Sequence, residues 1–133
     1  MILTFQSIKS RNRIVHACRY LEELQLDPTF YSLRWITTLL SREFALPDTL
    51  RLWDSLFAAP LQDRTHWVDY FCVTMCISIR DSLLDADFAG ALHLLQSYPP
   101  WTPIDDLLKV CGGWDKGRVW VELNHVSPFV CLN

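Results

Sequence analysis

The chain has 133 residues, half of them hydrophobic and a fifth charged, with a net charge of −3. That balance excludes a disordered chain and lacks the basic excess of a nucleic-acid binder. The longest apolar run, Trp67 to Ile79, is interrupted by Asp69, Thr74 and Ser78. It falls short of the roughly 20 apolar residues that span a bilayer, so the expectation is a soluble chain with at most peripheral membrane contact.

The length suits one domain or a piece of a larger one. The five cysteines, Cys18, Cys72, Cys76, Cys111 and Cys131, are odd in number, and "MILTF" is too short for the apolar core of a secretory leader. A reducing, cytoplasmic setting with free thiols is expected. Lys9, Arg11, Arg13 and Arg19 make the first third locally basic, which reads as a solvated helix face rather than a patch for anionic membrane or an acidic partner.

In chain order, Ile14, Cys18, Leu21 and Leu24 to Leu26 predict a helix over residues 12–25. Asp27-Pro28 then pairs an N-cap with a proline suited to a first helical position. The stretch "YSLRWITTLLSREF", Tyr31 to Phe44, is expected to be one helix. Phe30, Leu33, Ile36 or Thr37, and Leu40 share a face, and Trp35 and Leu39 widen it until the helix is buried on most sides. Pro47-Asp48 marks a third start, without a good cap before it. There Leu46, Leu50, Trp53 and Phe57 step by four, three and four as the expected core face, flanked by Leu52 and Leu56. Residues 64–82 are apolar too continuously for a one-sided helix. Their length predicts a buried helix rather than a strand, despite the β-branched Val73, Ile77 and Ile79.

Phe88, Ala91, Leu92 and Leu95 predict a fifth helix started by Asp85 or Asp87. Thr102-Pro103 opens a short sixth with Ile104, Leu107 and Leu108, and Asp105 and Asp106 sit in its first turn, where the helix dipole favours negative charge. After Cys111-Gly112-Gly113 the pattern alternates around Val119-Trp120-Val121, as a weak strand or a loose tail. The fold class is therefore all-α with a non-helical C-terminal end.

Local chemistry is sparse. Cys72 and Cys76 stack on one helix face, and His66 is the only neighbouring ligand type in sequence, so core cysteines are the favoured reading over a metal site. His16, His66, His93 and His125 are scattered. There is no phosphate-cradling glycine loop and no G-x-S-x-G elbow. Glu22-Glu23 and Asp105-Asp106 are adjacent, so each pair points to two helix faces rather than forming an acid/base couple. No catalytic, cofactor or metal residue is assigned. The exception to blandness is Arg34, a charge inside an apolar helix. A buried arginine needs a carboxylate, and Glu43 and Asp54 are the candidates. The expectation is that Arg34 ties its helix to that of Trp53; a catalytic Arg34 is the competing idea.

"LDPTFYSLRWITTLLSREFALPDTLRLWDSLFA" resembles the later part of the TBC domain, the helical domain of Rab GTPase-activating proteins. "IRDSLLDADFAGALHLLQSYPP" is similar to the continuation in the member-thirteen-like branch. The likeness runs from about Leu24 to Leu108. It divides the chain into a divergent segment 1–12, a TBC-like part 13–111 and a divergent tail 112–133. It marks Arg34, Trp35, Glu43, Phe44, Leu50, Trp53 and Asp54 as signature positions with structural roles.

The resemblance implies an irregular all-α helical array, no cofactor, and a Rab-type small GTPase as partner, with a cytoplasmic or peripheral endomembrane location. In the family an arginine in I-x-x-D-x-x-R and a glutamine in Y-x-Q act in trans on the phosphoryl group and its attacking water. Neither motif occurs here. Asp48 to Arg51 and Asp115 to Arg118 match only D-x-x-R, and none of Tyr20, Tyr31, Tyr70 or Tyr98 has glutamine two residues on. The expectation is the C-terminal portion of the domain, not an enzyme and not competent alone, with faces left apolar where the missing half would pack. A non-catalytic module binding a Rab or another protein is the alternative, and a product that does not fold stably is the third reading.

Overall fold

The computed structural model describes residues 16, 17 and 19–112. The expectations for residues 1–12, for Cys18, and for the tail from 113 onward, including Asp115 to Arg118, His125 and Cys131, lie outside the described residues.

Among the described residues the fold is all-α, with no strand. A first helix, α1, has helical residues at 16, 17 and 19–23. It is followed by α2 (Ser32–Thr37), α3 (Leu46–Ala58), α4 (Arg64–Ser78), α5 (Arg80–Leu84), α6 (Phe88–Gln96) and α7 (Ile104–Gly112). Short 3-10 turns at Pro28–Phe30 and Leu61–Asp63 precede α2 and α4. No described helix is long and apolar enough to cross a membrane.

The centre is α4, which packs against α2, α3 and α7. Its run from Tyr70 to Cys76 is buried without a break, which accounts for the absence of one-sided periodicity. The stretch expected as one helix over 64–82 breaks at Ile79, and α5 comes next. Start signals behave as their chemistry requires. The Asp27 carboxylate accepts from the Thr29 amide at 2.9 Å and hydroxyl at 2.8 Å, which holds it below its ordinary pKa. Asp87, rather than Asp85, caps α6 by accepting from the Gly90 amide at 2.8 Å.

Two helices end by the same device, α1 at the expected boundary near residue 25 and α2 well short of Phe44. In α1 the Leu26 amide reaches the Leu21 carbonyl at 3.0 Å and the Gln25 amide reaches Glu22 at 2.9 Å. In α2 the Leu40 amide reaches Trp35 at 2.8 Å and the Leu39 amide reaches Ile36 at 3.2 Å. Each pair forms a Schellman end, which needs a left-handed residue at its first position past the cap. Gln25 (φ 55°) and Leu39 (φ 48°) supply it, and Leu40 is also left-handed at φ 65°. Glycine ordinarily marks such an end. Here the apolar contact marks it instead: Leu26 is buried with Leu21, and Leu40 with Trp35. In α2 the Thr37 and Thr38 hydroxyls also bond back to the Leu33 and Arg34 carbonyls, both at 2.7 Å, which weakens helix continuation. The expected helix Tyr31 to Phe44 is thus a six-residue α2 followed by a coil of turns.

The orientation of α3 also differs from expectation. Thr49, Leu52 and Leu56 are its buried residues, whereas Leu46, Leu50 and Phe57 are 69%, 52% and 52% exposed. Both stripes are apolar at helical spacing, so periodicity alone does not choose between them. Packing onto α4 and α7 makes the choice. The helix is held by arginine in its middle and at its C-terminal end. Arg51 pairs with Asp105 of α7 at 3.2 Å. Arg64 donates to the Ala59 carbonyl at 3.2 Å and the Phe57 carbonyl at 3.1 Å, closing the C-terminus of α3, with its guanidinium 5.5 Å from the Phe57 ring centre.

Candidate functional site

The signature positions separate into a sealed group and an open one. In the sealed group Arg34, on α2, makes a two-pronged pair with Glu43: Nε to Oε1 at 2.9 Å and Nη2 to Oε2 at 3.0 Å. The turns after α2 fold the chain back and bring Glu43 under Arg34. The Glu43 side chain is 1% exposed and that of Arg34 36%. Such bidentate, charge-assisted bonds are among the stronger polar contacts. Nη2 also donates to the Gln96 carbonyl at the end of α6, where the helix dipole favours a cation. Gln96 in turn donates to the Phe30 carbonyl at 3.0 Å. Arg34 therefore joins α2, the turn after it and α6.

Around this pair runs a ladder of aromatic rings. Trp35 is fully buried, edge-on to Tyr31 at 5.2 Å and to Tyr98 at 6.2 Å. Phe44 lies 5.8 Å from Tyr98 and 6.1 Å from Phe71, and Phe71 stacks on Trp67 at 5.4 Å. The Tyr98 hydroxyl donates to the Met75 carbonyl at 2.9 Å, and burial raises its pKa.

The expected tie from Arg34 to Asp54 is not made. Asp54 is exposed on α3, and the carboxylate reached is that of Glu43. The link to "LRLWD" exists through another atom: the Trp53 indole N–H donates to the Leu39 carbonyl at 2.9 Å. That carbonyl is presented by the left-handed turn after α2, which no residue type in the sequence announces. Leu50 stands on the open side of α3. Nothing in the sequence marks Gln96 or Arg64 for a role; no short-range pattern signals that either caps another element.

The other chemical candidates resolve as packing. Cys72, Cys76 and Cys111 are buried in the core. Burial pushes the Cys72 thiol well up and that of Cys111 to about 12, so neither supplies a thiolate at neutral pH. Among the described residues no group of three His, Cys, Asp or Glu side chains is arranged to hold a metal ion. Half-burial raises the Asp69 pKa, with nearby His66 opposing in part. In the Asp48-x-x-Arg51 match, Arg51 is engaged with Asp105 and with the Ser55 hydroxyl at 3.1 Å.

The sequence is similar to those of known proteins. A profile of the Rab-GTPase-TBC domain matches residues 11–84, over half of the chain. The chain is 47% identical over 79 residues to mouse TBC1 domain family member 13, covering 59% of this chain and 19% of that protein. It is 37% identical over 103 residues to TBC1 domain family member 5 homolog B of Dictyostelium discoideum, covering 77% of this chain and 10% of that protein. It is 42% identical over 80 residues to human TBC1 domain family member 5, covering 60% of this chain and 10% of that protein. The chain thus spans about a fifth or less of the length of these relatives. No solved structure matches.

Proposed function

The chain belongs to the Rab-GTPase-TBC domain family, whose members activate Rab GTPases, and from that premise we propose that it is the later, structural portion of such a domain. In this reading it contributes to stimulation of GTP hydrolysis by a Rab-type small GTPase but does not supply the reacting groups. The observation that carries it is the engagement of Arg34, which is committed to Glu43 and the end of α6. Arg51, in the D-x-x-R match, meets Asp105 in a pair exposed on both sides. An arginine that stabilises charge on a transferring phosphoryl group must be free to reach it. Neither I-x-x-D-x-x-R nor Y-x-Q is present in the sequence to provide another.

A second reading, a non-catalytic module that binds a Rab or another protein, is favoured by the open apolar stripe of α3. The test is single-turnover GTP hydrolysis across a panel of Rab proteins, run beside a pull-down of the same panel. The first reading expects no acceleration by the chain alone. Acceleration by the chain would overturn it. Binding without acceleration would favour the module.

A further inference from the structure

Thr102-Pro103 has the form of a helix start, yet the Thr102 hydroxyl does not serve as one. The Pro103 carbonyl accepts from the first amides of α7, Asp106 at 3.1 Å and Leu107 at 3.3 Å, so the helix begins after Pro103 and Thr102 stands outside it. Among the described residues the Thr102 hydroxyl makes no hydrogen bond. It lies part-exposed in the irregular connection between α6 and α7, with exposed Trp101 before it and exposed Pro103 after it. A kinase draws its target residue and both neighbours into an extended pose, and a threonine in such a connection can enter one without unwinding a helix. The proline selects the class of kinase. Its ring biases Thr102 away from the helical conformation, and it brings no backbone N–H that the kinase cleft would have to satisfy.

We propose that Thr102 is a phosphorylation site for a proline-directed serine/threonine kinase, and that Arg51 receives the phosphate. The γ-phosphoryl group of ATP passes to the Thr102 Oγ, the hydroxyl proton goes to the kinase's catalytic base, and ADP leaves. The product carries about −1.5 to −2 charges at neutral pH. Asp105 and Asp106 follow in the first turn of α7, so the phosphate needs a cation beside it to be held there. Arg51 is that cation. Its Nε lies 3.2 Å from Asp105, three residues past Thr102, in a pair exposed on both sides. Such a pair holds its arginine weakly, and a phosphate takes a guanidinium by two prongs, more strongly than one carboxylate oxygen does. Exchange of Asp105 for the phosphate tightens the tie between α3 and the start of α7. The inference stands apart from GTPase activation, since neither residue is asked to touch a GTPase.

The test treats the full chain with ATP and a recombinant proline-directed kinase and maps the phosphate by peptide mass spectrometry. Ser127-Pro128, the other hydroxyl followed by proline in the sequence, is the internal comparison. Thr102 is expected to gain phosphate, Thr102→Ser to keep it, and Thr102→Ala to lose it with unchanged helical circular dichroism. The serine variant separates a lost acceptor from a lost fold. A chain that stays unmodified at Thr102 while the kinase's control substrate is turned over overturns the site, as does phosphate confined to Ser127. Undiminished modification of Thr102 in Pro103→Ala overturns the proline-directed class. The phosphorylated chain is expected to melt roughly 2–5 °C above the unmodified one, a rise that Arg51→Met removes. No rise, or the same rise in Arg51→Met, overturns the pairing of the phosphate with Arg51.

Discussion

The chain sets a charge beside a tryptophan twice, at Arg34-Trp35 and at Trp53-Asp54, and the structure treats the two quite differently. On α2 the tryptophan is wholly buried and its arginine is clasped by a buried glutamate. On α3 the tryptophan is half-buried and its aspartate faces outward. The difference originates in the segment after each helix. Past the end of α2 the chain coils through left-handed turns and returns Glu43 to its own helix, so the charge is satisfied locally and the helix sinks into the core. Past the end of α3 the cap comes from Arg64, a side chain of α4 that satisfies carbonyls and lies over the Phe57 ring but leaves Leu46 and Leu50 open. A charge set beside a tryptophan therefore becomes a sealed tie in one place and an open strip in the other.

The contrast is broken most sharply at the tryptophan of α2. Trp35→Ala should destabilise by about 3–5 kcal/mol, as expected for a large buried aromatic, while Leu50→Ala on the open stripe should cost under about 0.5 kcal/mol in a monomer. Similar losses at both sites in urea unfolding would refute the sealed-versus-open distinction. Next in size is Arg34→Met, for which about 2 kcal/mol is expected. A fully buried pair would lose more, but the arginine side is more than a third exposed and solvent screens part of the interaction. Arg51→Met, at an exposed pair, should cost about 0.5 kcal/mol or less in the same assay. If the two arginines prove equivalent, burial of Glu43 has no energetic meaning.

A smaller and opposite effect is expected at the turn. Leu39→Gly should stabilise by about 0.5–1 kcal/mol, because glycine removes the steric penalty of the left-handed conformation and little packing is lost at this partly exposed site. A lower melting temperature would show that the Leu39 side chain contributes more than its backbone costs. The smallest expectation is zero: an Arg34/Asp54 double-mutant cycle should show no coupling beyond about 0.3–0.5 kcal/mol, whereas an Arg34/Glu43 cycle should.

These particulars also mark how far the residues disclose the fold in advance. Helix starts are legible because they are local: Asp27 and Asp87 announce themselves by type and position. The buried α4 is legible from its length and nearly continuous apolarity. The end of α2 is not, because Leu39 holds a left-handed position that sequence assigns to glycine, and the buried Leu40 that stabilises that end acts through tertiary contact. The lower face of α3 is hidden for a different reason: two apolar stripes compete, and only the positions of α4 and α7 decide between them. The partner of Arg34 narrows to two carboxylates, and the choice falls to the turn geometry. The signature residues can be found in the sequence, but their division into core and surface cannot.

Arg64 has a consequence for the order of assembly. It is the first residue of α4, yet its bonds, five and seven residues back along the chain, finish α3. Two helices that share such a residue form a local hairpin whose loop closes at small entropic cost. The bond from Arg34 to Gln96 and that from Tyr20 to Ala86 span 62 and 66 residues and must wait for the chain to come together. The α3–α4 hairpin should therefore nucleate folding, with α1, α2 and α6 condensing onto it later. Stopped-flow kinetics would register this as slowed folding for Arg64→Met and hastened unfolding for Arg34→Met.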